Sequence, residues 1–266
     1  MKKLVWTTLL VSGLAGVMAQ AAFAQQDSVK KKSSFGLDNG LISISINSKD
    51  STEKVKSANG RFTGGITLTR LDIGFSRLID NGSFSLSKEN EFLDYTGGKT
   101  STVSFDVLQL GYRFNSNFKI YMAGGFDWTM IRLKQNITLD KNSPTMSYKE
   151  ESIQFSKNRL SNSYVHIPLN FELRSKENAN GKRFTFVFGP EVGFLLNAKV
   201  KQISKENGKE KFKDDYNFEP FRYGGTLRIG YGGFGVFTKY YFNDMFTTTA
   251  QKGLRNMSFG VTLGLN

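Results

Sequence analysis

The chain of 266 residues contains no cysteine at all and a single histidine, His166. Without thiols there can be no disulfide, no lipid-modified cysteine and no thiolate metal centre, and one imidazole is too few for a histidine-rich metal site. Proline is scarce at 4 residues, so proline-rich linkers are absent. Beyond the first two dozen residues no apolar run reaches the roughly 18 residues that a spanning helix needs. Mean hydropathy is −0.34. Neither fact excludes a membrane barrel, whose alternating strands hide their hydrophobicity from a sliding window. Acidic charge is also short: the formal net charge is +13. The basic residues are scattered, with acids between them and no dense basic helix. Nucleic acid is therefore set aside as a partner, and attraction to anionic lipid headgroups is the milder explanation.

Aromatics and glycine are abundant, with 24 Phe, 10 Tyr and 27 Gly. Together with little helix-favouring composition, that mixture argues for strands. At the start, Lys2 and Lys3 precede an apolar stretch from Leu4 to Ala19 and a small-residue site at Ala22-Phe23-Ala24. This order reads as a secretory signal over 1–24, with an uncleaved anchor as the competing reading. Residues 25–60 are polar and weakly patterned, apart from an alternation through Ile42, Ile44 and Ile46. They are expected to form a flexible periplasmic lead-in, leaving 61–266 as a single β-domain.

Within 61–266 a period of two recurs eight times. The last strand is clearest, with Met257, Phe259, Val261, Leu263 and Leu265 against Ser258, Gly260, Thr262 and Gly264. Working backwards, strands centre on Phe234 to Phe242, Phe221 to Tyr231, Phe184 to Asn197, Val165 to Leu173, Phe118 to Met130, Leu108 to Phe114 and Ile66 to Ile79. Phase slips in the Leu108 to Phe114 and Ile66 to Ile79 strands, at Phe105 and Val107 for example, suggest bulges. Pro168 and Pro190 lack ladder donors, which predicts a bulge or local defect at each.

Connections alternate in length. Short joints fall at Asn115–Asn117, Ser175–Lys182 and Gly232-Gly233. Long polar loops, expected to be mobile, fall near Asp80–Thr100, Asn136–Asn158, Gln202–Asn217 and Asn243–Arg255. Short turns on one side and long loops on the other are the outer-membrane pattern, with both termini on the short-turn, periplasmic side. One face carries Gly, Ser and Thr with single charges at Arg70, Asp72, Arg113, Asp127, Glu172, Glu191, Arg222, Arg228 and Lys239. The other is crowded with Phe, Tyr and Leu. Those rings are too bulky for the interior of so small a barrel, so the apolar face points out to lipid and a soluble lipocalin-like barrel is disfavoured. The fold class predicted is all-β: a closed antiparallel transmembrane β-barrel of about eight strands in meander order. Its lumen is filled by paired charges.

The segments Ser163-Tyr164-Val165-His166-Ile167-Pro168-Leu169-Asn170, Gly189-Pro190-Glu191-Val192-Gly193-Phe194-Leu195-Leu196 and the ending Ser258 to Asn266 are similar to the PorT-like outer-membrane β-barrel family. The resemblance covers about 61–266 and implies the same fold, but no particular activity.

Three motifs resolve into structure. Gly230-Tyr231-Gly232-Gly233-Phe234-Gly235 matches a dinucleotide fingerprint by letter, yet strand rather than helix follows, so it is a hairpin turn. Gly97-Gly98-Lys99-Thr100 lacks the first glycine of a phosphate loop. His166 faces inward by parity and is expected to pair with a carboxylate. No catalytic, cofactor-binding or metal residue is assigned, no cofactor is expected, and the chain is not read as an enzyme. The function expected is a structural or interaction role in the Gram-negative envelope, in contact with outer-membrane lipids and with room for an envelope protein partner. A narrow transport channel and an outer-membrane enzyme acting on lipid or peptide are the alternatives.

Overall fold

The structure, a computed structural model, describes residues 34–38, 41–45 and 61–265. The signal segment and most of 25–60 lie outside them. Eight strands build the domain: β1 (Arg61–Asp80), β2 (Ser101–Arg113), β3 (Phe118–Leu133), β4 (Phe155–Arg174), β5 (Phe184–Ser204), β6 (Phe221–Tyr231), β7 (Gly233–Tyr241) and β8 (Leu254–Leu265). Each pairs antiparallel with its sequence neighbour, and β8 pairs back onto β1 from Leu254 opposite Asp80 to Leu263 opposite Leu71. The result is the closed eight-stranded meander that the alternation predicts, with no sheet edge left along that seam.

Burial is inverted relative to a soluble domain. Phe75, Met122, Leu169, Phe186, Phe188, Ile229, Val236, Phe259 and Val261 lie exposed on the outside, while Asp72, Asp127, Glu172, Glu191, Arg228 and Lys239 are buried inside. A contiguous apolar exterior of this extent is tolerated only against lipid. Arg113 is the exception among the inward charges, half-buried near the short-turn end.

Two register shifts fall in the strands where the phase slips, between Ile66 and Arg70 on β1 and between Asp106 and Leu108 on β2. The second turns Asp106 inward, where it is buried. Another shift on β5 lies opposite the step from Ser163 to Tyr164. It leaves Asn197 exposed, although the alternation running through Thr185, Glu191 and Gly193 predicts it on the polar inner row: beyond Leu196 the inward row is Ala198, Val200 and Gln202. At the prolines no shift occurs. Register runs through Pro190 unbroken toward β6, while between β4 and β5 pairing lapses next to Pro168 and Pro190 with the offset kept, as it does beside Pro168 on the β3 side. The missing donors are thus absorbed by a local defect, not by an extra residue.

The β6–β7 joint is a two-residue hairpin, with Gly232 at φ 57° and Gly233 at φ 89°. Two successive left-handed residues define the tight turn whose twist matches the strands, and glycine adopts them without strain. The strands Ser34–Asp38 and Leu41–Ser45 form a further hairpin, whose second strand pairs with 65–67 of β1.

The loop end differs most from expectation. β4 and β5 run 20 and 21 residues, about twice what a tilted strand needs to cross a bilayer. Their outer ends, Arg159 and Lys199 onward, stand clear of the apolar belt, widened by the added strand Lys209–Asp214 on β5. The four long loops are not loose. They fold inward and bury Phe92, Leu93, Tyr95, Ile137, Leu139, Tyr216, Phe218, Met245 and Phe246 against the strand residues Leu78, Ile131, Leu160, Val200 and Leu254. Burial of so many apolar side chains offsets the entropy of ordering the loops, and the barrel mouth is closed by a hydrophobic cap.

Candidate functional site

Below the cap the lumen is largely polar, because most inward positions carry Ser, Thr, Gly or a charge, with Tyr121, Ala123, Val187 and Phe237 among the apolar or aromatic exceptions. Arg228 of β6 reaches across the barrel to Asp72 of β1, with Nε 3.1 Å from Oδ2 and a second guanidinium nitrogen at 2.7 Å. Both residues are wholly buried, and the two-pronged contact satisfies the carboxylate as a point charge would not.

A second, larger cluster surrounds Lys239 of β7. Its ammonium lies 2.7 Å from Asp127 of β3 and 3.1 Å from Glu191 of β5. The Tyr241 hydroxyl donates to Glu191 at 2.7 Å. The Arg222 guanidinium stacks over the rings of Tyr164, at 3.7 Å, and Tyr241, at 4.1 Å, while reaching Asp127 at 3.4 Å. His166 of β4 joins the cluster to a third pair. Its Nε2 lies 3.1 Å from Asp106 and its Nδ1 3.4 Å from Glu191; these are ion-pairing distances, though the angles fall short of hydrogen bonds. Asp106 in turn meets Arg70 at 3.3 Å. At the short-turn end Arg174 bonds to Glu172, and the Lys119 ammonium lies over the Tyr121 ring at 4.5 Å.

Room for these side chains is made by glycines opposite them. A Cβ on Gly125 would lie 2.6 Å from His166 Nε2 and 2.0 Å from the Phe105 carbonyl oxygen, and one on Gly193 would lie 2.8 Å from Arg222.

Parity places Arg70, Asp72, Asp127, Glu172, Glu191, Arg222, Arg228, Lys239 and His166 correctly. Arg228–Asp72 and Glu172–Arg174 are separate pairs, while Arg70, Asp127, His166, Glu191, Arg222 and Lys239 share one network. Asp106, Tyr164 and Tyr241 complete it. Tyr241 alternates with its neighbours and was legible, whereas Asp106 was hidden by the bulge beside it.

Asp127, His166 and Glu191 place ligand atoms within 4.8 Å of one another, close enough to consider a metal. Lys239 argues against one: its ammonium already bridges two of the three ligands, and a divalent ion would have to displace a buried cation. The network is closed to solvent. His166 and Glu191 are 0 and 1 % exposed, and a cavity of about 20 Å³ between Tyr164, Arg222 and the Met245 loop has room for about one water.

In the cap, burial beneath the loops pushes the Tyr216 hydroxyl up to about 12. It raises the Glu219 carboxyl above the usual carboxylate range, helped by the neighbouring charge of Asp244.

No curated protein matches the chain. A family model described as an outer membrane protein beta-barrel domain matches residues 23–246, all but the end of the ring. Apolar wall, polar lumen, closed meander and this match agree, and the chain belongs to the outer-membrane protein β-barrel domain family.

Proposed function

We propose that the protein is a non-conducting anchor that holds a folded platform at the cell surface, a structural and interaction role. One observation carries this reading: the lumen is filled by cross-barrel ion pairs and its mouth is covered by an apolar core drawn from all four long loops. A transport channel needs a continuous polar path, and the cap interrupts it with Leu, Ile and Phe. A catalytic role for His166 would need access to substrate, which its complete burial argues against. In this reading both termini face the periplasm, 1–24 is a cleaved signal, and the chain is a PorT-like barrel, which the likeness of its strand motifs supports. The platform's partner is another envelope protein.

Purified protein in planar bilayers is expected to give no conductance steps. Stable unitary currents would overturn the anchor reading in favour of a channel. Orientation is checked on intact cells, where added protease should reach the Asn136–Asn158 or Gln202–Asn217 loops and spare the Ser175–Lys182 turn. Cleavage at that turn on sealed cells would invert the topology.

A further inference from the structure

The outward face of the strand extension carries a feature that closing the barrel does not require. Register places Arg132 of β3 opposite Arg159 of β4, Arg159 opposite Lys201 of β5, and Lys201 opposite Lys211 of the added strand. Beside this row, Lys199 stands opposite Lys213. All six project to one face, since the alternate positions Ile131, Leu160, Ala198 and Val200 are buried in the cap core. The acids of the added strand, Glu210 and Asp214, stand opposite buried Gln202 and Ala198 and so belong to the other face. Among the described residues none of the six lies within 4.0 Å of a carboxylate. Like charges directly opposite one another destabilise a sheet, so four in a row are tolerated most readily where anions meet them.

The position of the row says which anion. It adjoins the lipid-facing belt on the same strands: Trp128 and Met130 lie just before Arg132, and Phe194 and Leu196 just before Lys199. The Arg159 guanidinium even touches Met130 Sδ at 3.4 Å. Two residues of strand advance about 7 Å, the distance from acyl chain to headgroup. A ligand that fits belt and row together carries acyl chains and phosphate on one molecule, and planar guanidinium forks suit phosphate oxygens.

We propose that this row is a docking surface for the phosphate-bearing headgroups of the lipid leaflet from which the long-loop end emerges. The proposal rests on the membrane reading of the barrel, whose own failure would appear separately as loss of heat-modifiability. The test uses the full mature chain refolded in zwitterionic detergent, with bound lipid read by native mass spectrometry. The probes are a diphosphorylated glucosamine lipid, its dephosphorylated form, and a single-stranded oligonucleotide. Wild-type protein should retain the phosphorylated lipid and not the dephosphorylated one, and added salt should weaken retention. Lys211→Gln and Lys201→Gln should each cost about fivefold in affinity, the four-site R132Q/R159Q/K201Q/K211Q variant more than about a hundredfold, and K201R/K211R almost nothing. Heat-modifiability of each variant confirms that its barrel has formed. Should the four-site variant fail to fold, the two single substitutions, at exposed Lys211 and half-buried Lys201, still decide. Equal retention of both lipid forms, or undiminished binding by these variants, would overturn the proposal. Displacement of the lipid by the oligonucleotide at equal concentration would also overturn it and assign the surface to a soluble polyanion.

Discussion

Arg228 and Asp72 form an ion pair whose two partners come from opposite sides of the ring and are both out of contact with solvent. Removing one partner strands the other charge in a place water does not reach. Arg228→Ala is expected to lower stability by about 3–5 kcal/mol, read from urea titration of the protein folded in lipid vesicles. Replacing both at once, as in D72L/R228M, should recover most of that loss, because the desolvation of two charges disappears together with their attraction. A double variant as unstable as the single one would mean that the pair acts through the wider network. Gly125 sets a steric limit at the same scale. Gly125→Ala drives a methyl into the Phe105 carbonyl and the His166 ring, and about 1–3 kcal/mol of overpacking is expected in the same titration.

Strand faces give the next test. Leu227 of β6 points outward and Thr226 beside it is buried inside. Leu227→Arg places a charge against hydrocarbon near the middle of the strand and should cost roughly 2–4 kcal/mol in folding into bilayers. Thr226→Arg should be milder, apart from crowding. Similar penalties for the two would contradict the assignment of faces. The cap packs on the outer strand ends and is stitched by the Phe218–Phe246 ring contact at 4.8 Å. Phe218→Ala should loosen the loops and speed their proteolysis while leaving the barrel resistant. Strands with an unbroken period of two were legible in the sequence, and so were the inward charges on them. Asp106 and Asn197 were not, because a bulge reverses parity without leaving a mark in composition. Phe92, Phe218 and Met245 sit in loops without any period, so the cap gave no signal. The cationic row was invisible for another reason. Arg132, Arg159, Lys201 and Lys211 lie far apart along the chain among acids, and only strand register lines them up.

For the whole molecule the ring is the source of persistence. Each strand of the wall has its backbone groups paired on both sides, so there is no edge from which to peel the sheet. Purified protein is expected to stay compact in cold SDS and to change electrophoretic mobility only on boiling. Identical mobility with and without heating would refute a closed barrel. Closure itself has an unequal history along the chain. Seven of the eight pairings join strands that follow one another, while the eighth brings Ser76 to Asn256, across nearly the full domain. Loop-closure entropy grows only with the logarithm of length, so this one distant contact is affordable, and its cost falls further once the meander has shortened the gap. A permuted chain opened at Gly232, with its present ends joined, would make β8 and β1 consecutive strands, linked through the segment before Arg61, and hand the distant pairing to β6 and β7.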